Sequence, residues 1–242
     1  MLKNLPPVVK NLLIINFIIF FAEIAFVRIG TDLTDMFGLH YFKSENFRLY
    51  QIVTYMFLHS FTSFQHILFN MFGLFMFGCV LEQVWGAKRF LQYYMFTGIG
   101  AGLIQMLVYF VRVKMLESGI SAEALEMVYT EGLSALEQGK NFVDPVLANL
   151  NRLINTSTIG ASGSLYGVLL AFGMLFPNTE MYLMFIPVPI KAKYMVIGYG
   201  VIELVQGVSG TNSGVAHFAH LGGMLFGFIL IKLWRKNTNY FY

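Results

Sequence analysis

The chain has 242 residues, 57% of them hydrophobic and only 12% charged, with a mean hydropathy of +0.64. A soluble domain carries about 25% charged residues, so this composition excludes an ordinary water-soluble globule and points to a membrane. The net charge of +3 is too small to argue for nucleic acid, and the single cysteine, Cys79, excludes an internal disulfide and a cysteine-based zinc site.

Six apolar stretches follow one another along the chain, at about 12–27, 65–81, 90–111, 160–176, 194–208 and 215–234. Roughly 20 apolar residues cross the hydrocarbon core, and the shorter stretches suit spans walled in by neighbours or a thin bilayer. The first stretch is too long for a leader's apolar core and no small-residue cleavage site follows it, so no cleavable leader is expected. The fold class expected is all-α: a polytopic six-helix membrane bundle forming a single domain over 1–242.

Charge placement orients the bundle. Lys3, Lys10, Lys88, Arg89, Lys191, Lys193, Lys232, Arg235 and Lys236 fall in short segments on one side, against Glu82 and Glu180 alone. The longer loops on the other side hold more acids than bases. The positive-inside rule then puts both termini in the cytoplasm, and the expected location is a bacterial cytoplasmic membrane. The external connection at about 112–158 is long. Its Leu125, Val128, Tyr129, Leu133 and Leu136 approximate a helical stripe. Asp144-Pro145 has the form of an N-cap followed by proline at the first helical position. Two amphipathic helices near the outer surface are expected there.

Polar residues inside the spans carry the chemistry. Ser162 stands in the frame Gly160-Ala161-Ser162-Gly163 at the start of the fourth span. A serine hydroxyl needs a base to become a nucleophile, and GxSG alone is weak evidence, because small residues also pack membrane helices. His217 and His220 share a face of the sixth span, and histidine suits general-base work near neutral pH. A metal-binding pair is the rival reading, without an HExxH motif to support it. His220 is preferred as the base. The pairs Gly163/Gly167 and Gly223/Gly227 form two small-residue faces that let the fourth and sixth spans approach closely. His217 is then a supporting or rim residue.

His66 and Asn70 lie at i and i+4 in the second span. Their N–H groups could stabilise an oxyanion, or simply join helices. The second, fourth and sixth spans all run inward from the outer side, so His66, Asn70, Ser162 and His220 sit at one depth, in the outer third of the membrane. Ser164 reads as packing or a backbone hydrogen bond, His59 as a loop anchor and His40 as solvated. Glu82 with Gly86 reads as structural. Glu23 and Glu203 are intramembrane carboxylates that no spacing links to His220, so a dyad is favoured over a triad.

These features together resemble the rhomboid family of intramembrane serine proteases, over about 51–227. The match rests on His66 and Asn70 in HxxxN, Glu82 and Gly86 in ExxxG, GASG followed by Tyr166, and Ala219, His220 and Gly223 in AHxxG. The resemblance implies Ser162 as nucleophile and His220 as base, with no catalytic aspartate. It implies the Ser162 amide, His66 and Asn70 as the oxyanion hole, and Tyr166 packed on the His220 ring. Many members carry Trp-Arg where this chain has Tyr50-Gln51. Transmembrane proteins with small, helix-destabilising residues near the cut are the implied substrates. The partners are those substrates and the lipid bilayer, and no cofactor is needed because hydrolysis uses only water. Water access calls for a mobile cap or lateral opening near the fifth span and the 176–189 connection. The alternative is a catalytically inactive rhomboid-like protein that binds membrane clients. A channel or transporter would bring inverted repeats, and no repeat is visible.

Overall fold

A computed structural model describes residues 5–183, 186–209 and 215–237. Lys3, counted above among the basic residues, lies outside them.

Helix α1 (Pro7–Val27) starts on proline, whose missing N–H costs nothing in a first turn. Its own first turn has no acidic residue. Glu82, far along the chain, supplies the cap instead: its carboxylate accepts from the Val8 and Val9 amides at 2.8 and 2.7 Å. A buried anion thus meets the positive end of α1. Glu82→Gln is expected to cost about 1–3 kcal/mol, the range for a charge-assisted bond. It should appear as earlier thermal unfolding in detergent, and an unchanged melt would reduce Glu82 to a bystander.

A short α2 (Leu33–Phe37) and α3 (Gln51–Thr54) organise the first loop. The second span is one apolar run from Phe64 to Trp85. It is built from α4 (Phe64–Gly73), a π-helical turn (Leu74–Gly78) and α5 (Cys79–Trp85). It stops at Gly86, whose φ of 77° only glycine adopts cheaply, and α6 (Ala87–Glu117) begins at the next residue. At 31 residues α6 outruns the expected end near 111. It would be about 46 Å long at 1.5 Å per residue, so it projects well past a hydrocarbon core of about 30 Å.

The projecting end is held by the insertion. Helices α7 (Ala122–Glu137) and α8 (Pro145–Asn155) form where two amphipathic helices were expected, and the Asp144 carboxylate caps α8 through the Val146 and Leu147 amides. Val113 of α6, Val128, Leu150 and Ile154 gather around Tyr41 in a second, smaller core.

Helix α9 (Ser162–Leu175) has 14 residues, too short to span alone, and packs among α4, α5, α6 and α11 (His217–Asn237). Helix α10 (Ala192–Ser209) lies at the periphery with Ile197 and Val205 exposed. The helices Pro7–Val27, Phe64–Trp85, Ala87–Glu117 and His217–Lys236 are long and apolar enough to cross a membrane, and α9 is a shorter apolar helix beside them. Exposed Ile18, Phe21 and Leu107 give the bundle an apolar surface suited to lipid. The chain is a helical membrane bundle.

Several expectations need correction. The 176–189 connection carries two strands that were not expected: β1 (Glu180–Leu183) and β2 (Ile186–Lys191) pair antiparallel in a two-stranded ribbon, with a register shift between Met181 and Leu183. It is not near Ser162. It follows the C-terminal end of α9, roughly 20 Å from the N-terminal end at 1.5 Å per residue, so a cap over the serine cannot be sought there. The connection at the serine's end runs between α10 and α11, and its residues 210–214 lie outside those described. His40 is fully buried, not solvated. Leu39 pairs with Thr158 through two backbone bonds of 2.9 and 2.8 Å, which pins the first loop under the insertion. Burial holds the His40 imidazole below its ordinary pKa. Glu23 has a partner after all, the His59 amide at 3.1 Å. The small-residue faces interlock less symmetrically than expected. Gly163 and Gly223 do meet, but Gly167 packs on Thr97 of α6 and Gly227 on Tyr93 of α6.

Candidate active site

Gly160 sets up the serine. Its φ is 129°, which disfavours any L side chain, and its amide donates to Tyr55 O at 2.9 Å. This turn delivers Ser162 as the first residue of α9, where first-turn amides have no intrahelical acceptor. The positive end of the helix therefore faces whatever binds beside Oγ.

His220 Nε2 lies 2.8 Å from Ser162 Oγ. The two residues are 58 apart in sequence and meet because α9 and α11 touch backbone to backbone. A Cβ on Gly223 would lie 1.9 Å from Gly163 O. Only glycine permits that approach. Tyr166, one turn along α9 from Ser162, stacks on the His220 ring with centroids 4.2 Å apart and planes 5° apart. For Nε2 to accept the serine proton, the imidazole must carry its own proton on Nδ1.

His66 and Asn70 sit across from this pair on α4. His66 Nδ1 accepts from the Ser60 amide at 3.2 Å, which leaves its Nε2 as the N–H donor. That nitrogen faces the serine turn: a Cβ on Gly160 would lie 2.8 Å from His66 Nε2 and 3.6 Å from Ser162 Oγ. Asn70 Nδ2 donates to His66 O at 2.8 Å, turned back on its own helix. That bond uses one of the two Nδ2–H donors, and the other remains for an oxyanion. Ser164 takes no part: it is buried and donates to Tyr94 O at 3.0 Å.

The structure adds two residues that sequence reasoning passed over. Gln51 is fully buried at the centre of the first loop. Its Nε2 donates to Met36 O and Asn46 O, and its Oε1 accepts from the His40 and Arg48 amides. The departure from Trp-Arg thus places a structural hub at Gln51. Glu203 of α10 is also buried. Its Oε1 accepts from the Tyr166 hydroxyl and its Oε2 from His217 Nδ1 at 2.7 Å. His217 is thereby a buried partner of Glu203, not a rim residue. A depth argument could have found Glu203: α10 approaches the serine's level from below, and the residue lies nearly two turns before that helix ends.

Fold and site together define a helical membrane protein with a partly buried serine–histidine pair at the mouth of a short central helix. The rhomboid domain family matches residues 46–237. The chain belongs to the rhomboid family. It is 28% identical over 190 residues to RHOMBOID-like protein 12, mitochondrial, of Arabidopsis thaliana, covering 78% of this chain and 46% of that protein. Identity to Rhomboid-like protein 11, chloroplastic, of the same plant is also 28%, covering 77% of this chain and 53% of the relative. Rhomboid-like protein 16, chloroplastic, is 24% identical, with 78% and 50% covered. The chain spans about half the length of these curated relatives.

Proposed function

We propose that the chain is an intramembrane serine endopeptidase that cleaves membrane-anchored proteins in or near their transmembrane segments. The observation that carries this is the 2.8 Å contact between Ser162 Oγ and His220 Nε2. In this reading His220 takes the Ser162 proton as Oγ attacks the scissile carbonyl, then gives it to the leaving amine. Water, activated by the same imidazole, hydrolyses the acyl-enzyme. The Ser162 amide and His66 Nε2–H receive the oxyanion, together with the Asn70 Nδ2–H that is not spent on the His66 carbonyl. The substrate helix must first unwind locally, because its carbonyls are otherwise hydrogen-bonded within the helix.

The proposal includes orientation. The basic residues flank the ends of the bundle opposite Ser162, so both termini face the cytoplasm and the site opens outward. Purified protein should react with a fluorophosphonate, and the label should vanish in both Ser162→Ala and His220→Ala. Folded wild-type protein that takes no label in liposomes and cleaves no transmembrane peptide would favour the alternative, an inactive rhomboid-like protein that binds membrane clients.

A further inference from the structure

The carboxylate of Glu203 stands directly behind the histidine that faces Ser162. Glu203 Oε2 is 3.0 Å from His220 Nδ1 and 2.7 Å from His217 Nδ1, while Oε1 accepts from the Tyr166 hydroxyl. The residue is 6% exposed. An ionisable group inside a span costs at least about 2.5 kcal/mol on insertion scales, so a buried carboxylate among two imidazoles and a phenol calls for a function.

We propose that Glu203 is a positioning residue that turns the serine–histidine pair into a three-membered unit, Ser162–His220–Glu203. This inference rests on the protease reading given above. Glu203 holds the His220 proton on Nδ1, leaving Nε2 free to accept from Ser162. It also balances the positive charge that His220 gains as Oγ attacks. The geometry is specific about how it does so. The Glu203–His217 contact is an aligned hydrogen bond. The Glu203–His220 contact, at 3.0 Å, is an ion-pair distance without hydrogen-bond alignment. His217 and Tyr166 therefore hold the carboxylate, and the carboxylate holds His220. Tyr166 acts twice, stacking on the His220 ring and fixing Oε1. The unit draws on α9, α10 and α11, so it ties the peripheral α10 to the centre of the bundle.

Glu203, His217 and His220 could also be read as a cation site, since their ligand atoms lie within 4.8 Å of one another. The hydrogen bonds favour the other reading. Both carboxylate oxygens already accept hydrogen bonds, from a hydroxyl and from an N–H. A cation would have to displace both donors and compete with the serine-facing histidine.

The test compares wild type, Glu203→Gln, Glu203→Asp and Ser162→Ala on an internally quenched transmembrane peptide in liposomes. Glu203→Gln keeps the size and removes the charge. Its kcat should fall about 10²-fold or more, on the precedent of triad carboxylate-to-amide changes, with KM within about 2-fold, as for a group that acts only in the transition state. Loss of the carboxylate should also move the acid limb of the kcat/KM profile to lower pH, because the imidazolium loses its counter-charge. The other groups facing this cluster stay constant across the series: His66 of α4, Tyr166 of α9, Tyr199 of α10 and His217 of α11. Glu203→Asp should restore the acid limb and part of kcat. Turnover within about 3-fold of wild type in Glu203→Gln, with an unmoved acid limb, overturns the inference.

Should Glu203→Gln unfold early, ¹⁵N NMR of histidine-labelled wild-type protein decides instead. A neutral His220 protonated on Nδ1 supports the inference, and one protonated on Nε2 overturns it. Ser162→Ala separates the two levels. If it is inactive while Glu203→Gln is fully active, only the role of Glu203 fails. If it cleaves like wild type, the protease reading itself fails.

Discussion

Replacing Ser162 by alanine is expected to reduce cleavage of a transmembrane peptide to background while leaving the bundle folded. Removing a catalytic serine elsewhere costs about 10⁶ in kcat. Even a loss of 10⁴ corresponds to about 5.5 kcal/mol of barrier, so residual activity should be at the detection limit. No neighbouring hydroxyl can take over. Ser164 is two residues on, but it is buried and committed to Tyr94 O. Folding should survive, because among the described contacts the Ser162 hydroxyl bonds only to His220, and α9 and α11 stay packed through Gly163 and Gly223. Binding should survive as well, so the loss belongs in kcat and KM should stay near wild type. His220→Ala should cost about as much, and the double variant little more, because the two act as one unit. Measurable turnover in folded Ser162→Ala protein, sensitive to a serine-directed inhibitor, would point to a different nucleophile.

The spans and the site were legible to different degrees, for physical reasons. Apolar runs and basic flanks mark helices locally, so each helical core was found within a few residues. The level shared by His66, Ser162 and His220 followed from topology and helical rise alone, and the structure brings the three around one turn of backbone. The partner of each buried carboxylate was not legible. Glu82 caps a helix 73 residues away and Glu23 meets an amide 36 residues away, and neither pairing leaves a periodic trace. The first loop was misread at His40 because its burial depends on the Leu39–Thr158 bridge, a contact between segments far apart in sequence. Pro187 and Pro189 are two apart on a ribbon strand, where their missing N–H groups fall along one side and need not interrupt the pairing. Glu203 was set aside for want of a sequence link to His220. The link is made by the last turns of α10 and the first turn of α11, a relation of depth and not of spacing.

The approach of α9 to α11 leads to the second large effect. Gly223→Ala should lower the proposed peptidase activity more than its size suggests. The added Cβ would lie 1.9 Å from Gly163 O and 2.8 Å from Gly163 C. Those are backbone atoms of a helix buried on most sides, and no rotamer change relieves the overlap. Carbon contacts want about 3.5 Å or more, so the helices must separate by roughly 1 Å. Overpacking of this kind costs about 1–3 kcal/mol of stability. The catalytic cost should be larger. Ser162 is the neighbour of Gly163, and His220 lies one turn before Gly223, so the same displacement lengthens the 2.8 Å contact directly. A misplacement near 1 Å can cost on the order of 10²-fold in rate.

Two comparisons isolate the cause. Gly198 is also helical, on α10, and an added Cβ there meets nothing within 4 Å. Gly198→Ala should keep activity and leave the melting temperature level or slightly higher, since alanine favours helix over glycine by about 1 kcal/mol. Gly222→Ala should fall between the two, because its overlaps are milder than those at Gly223: Ile104 Cβ at 2.8 Å, Ile104 Cγ1 at 3.0 Å and Ala101 Cα at 3.1 Å. Kinetics on the quenched peptide with thermal melts in the same detergent give the ranking. Wild-type turnover in Gly223→Ala would mean that the closeness of these two backbones does not set the serine–histidine distance.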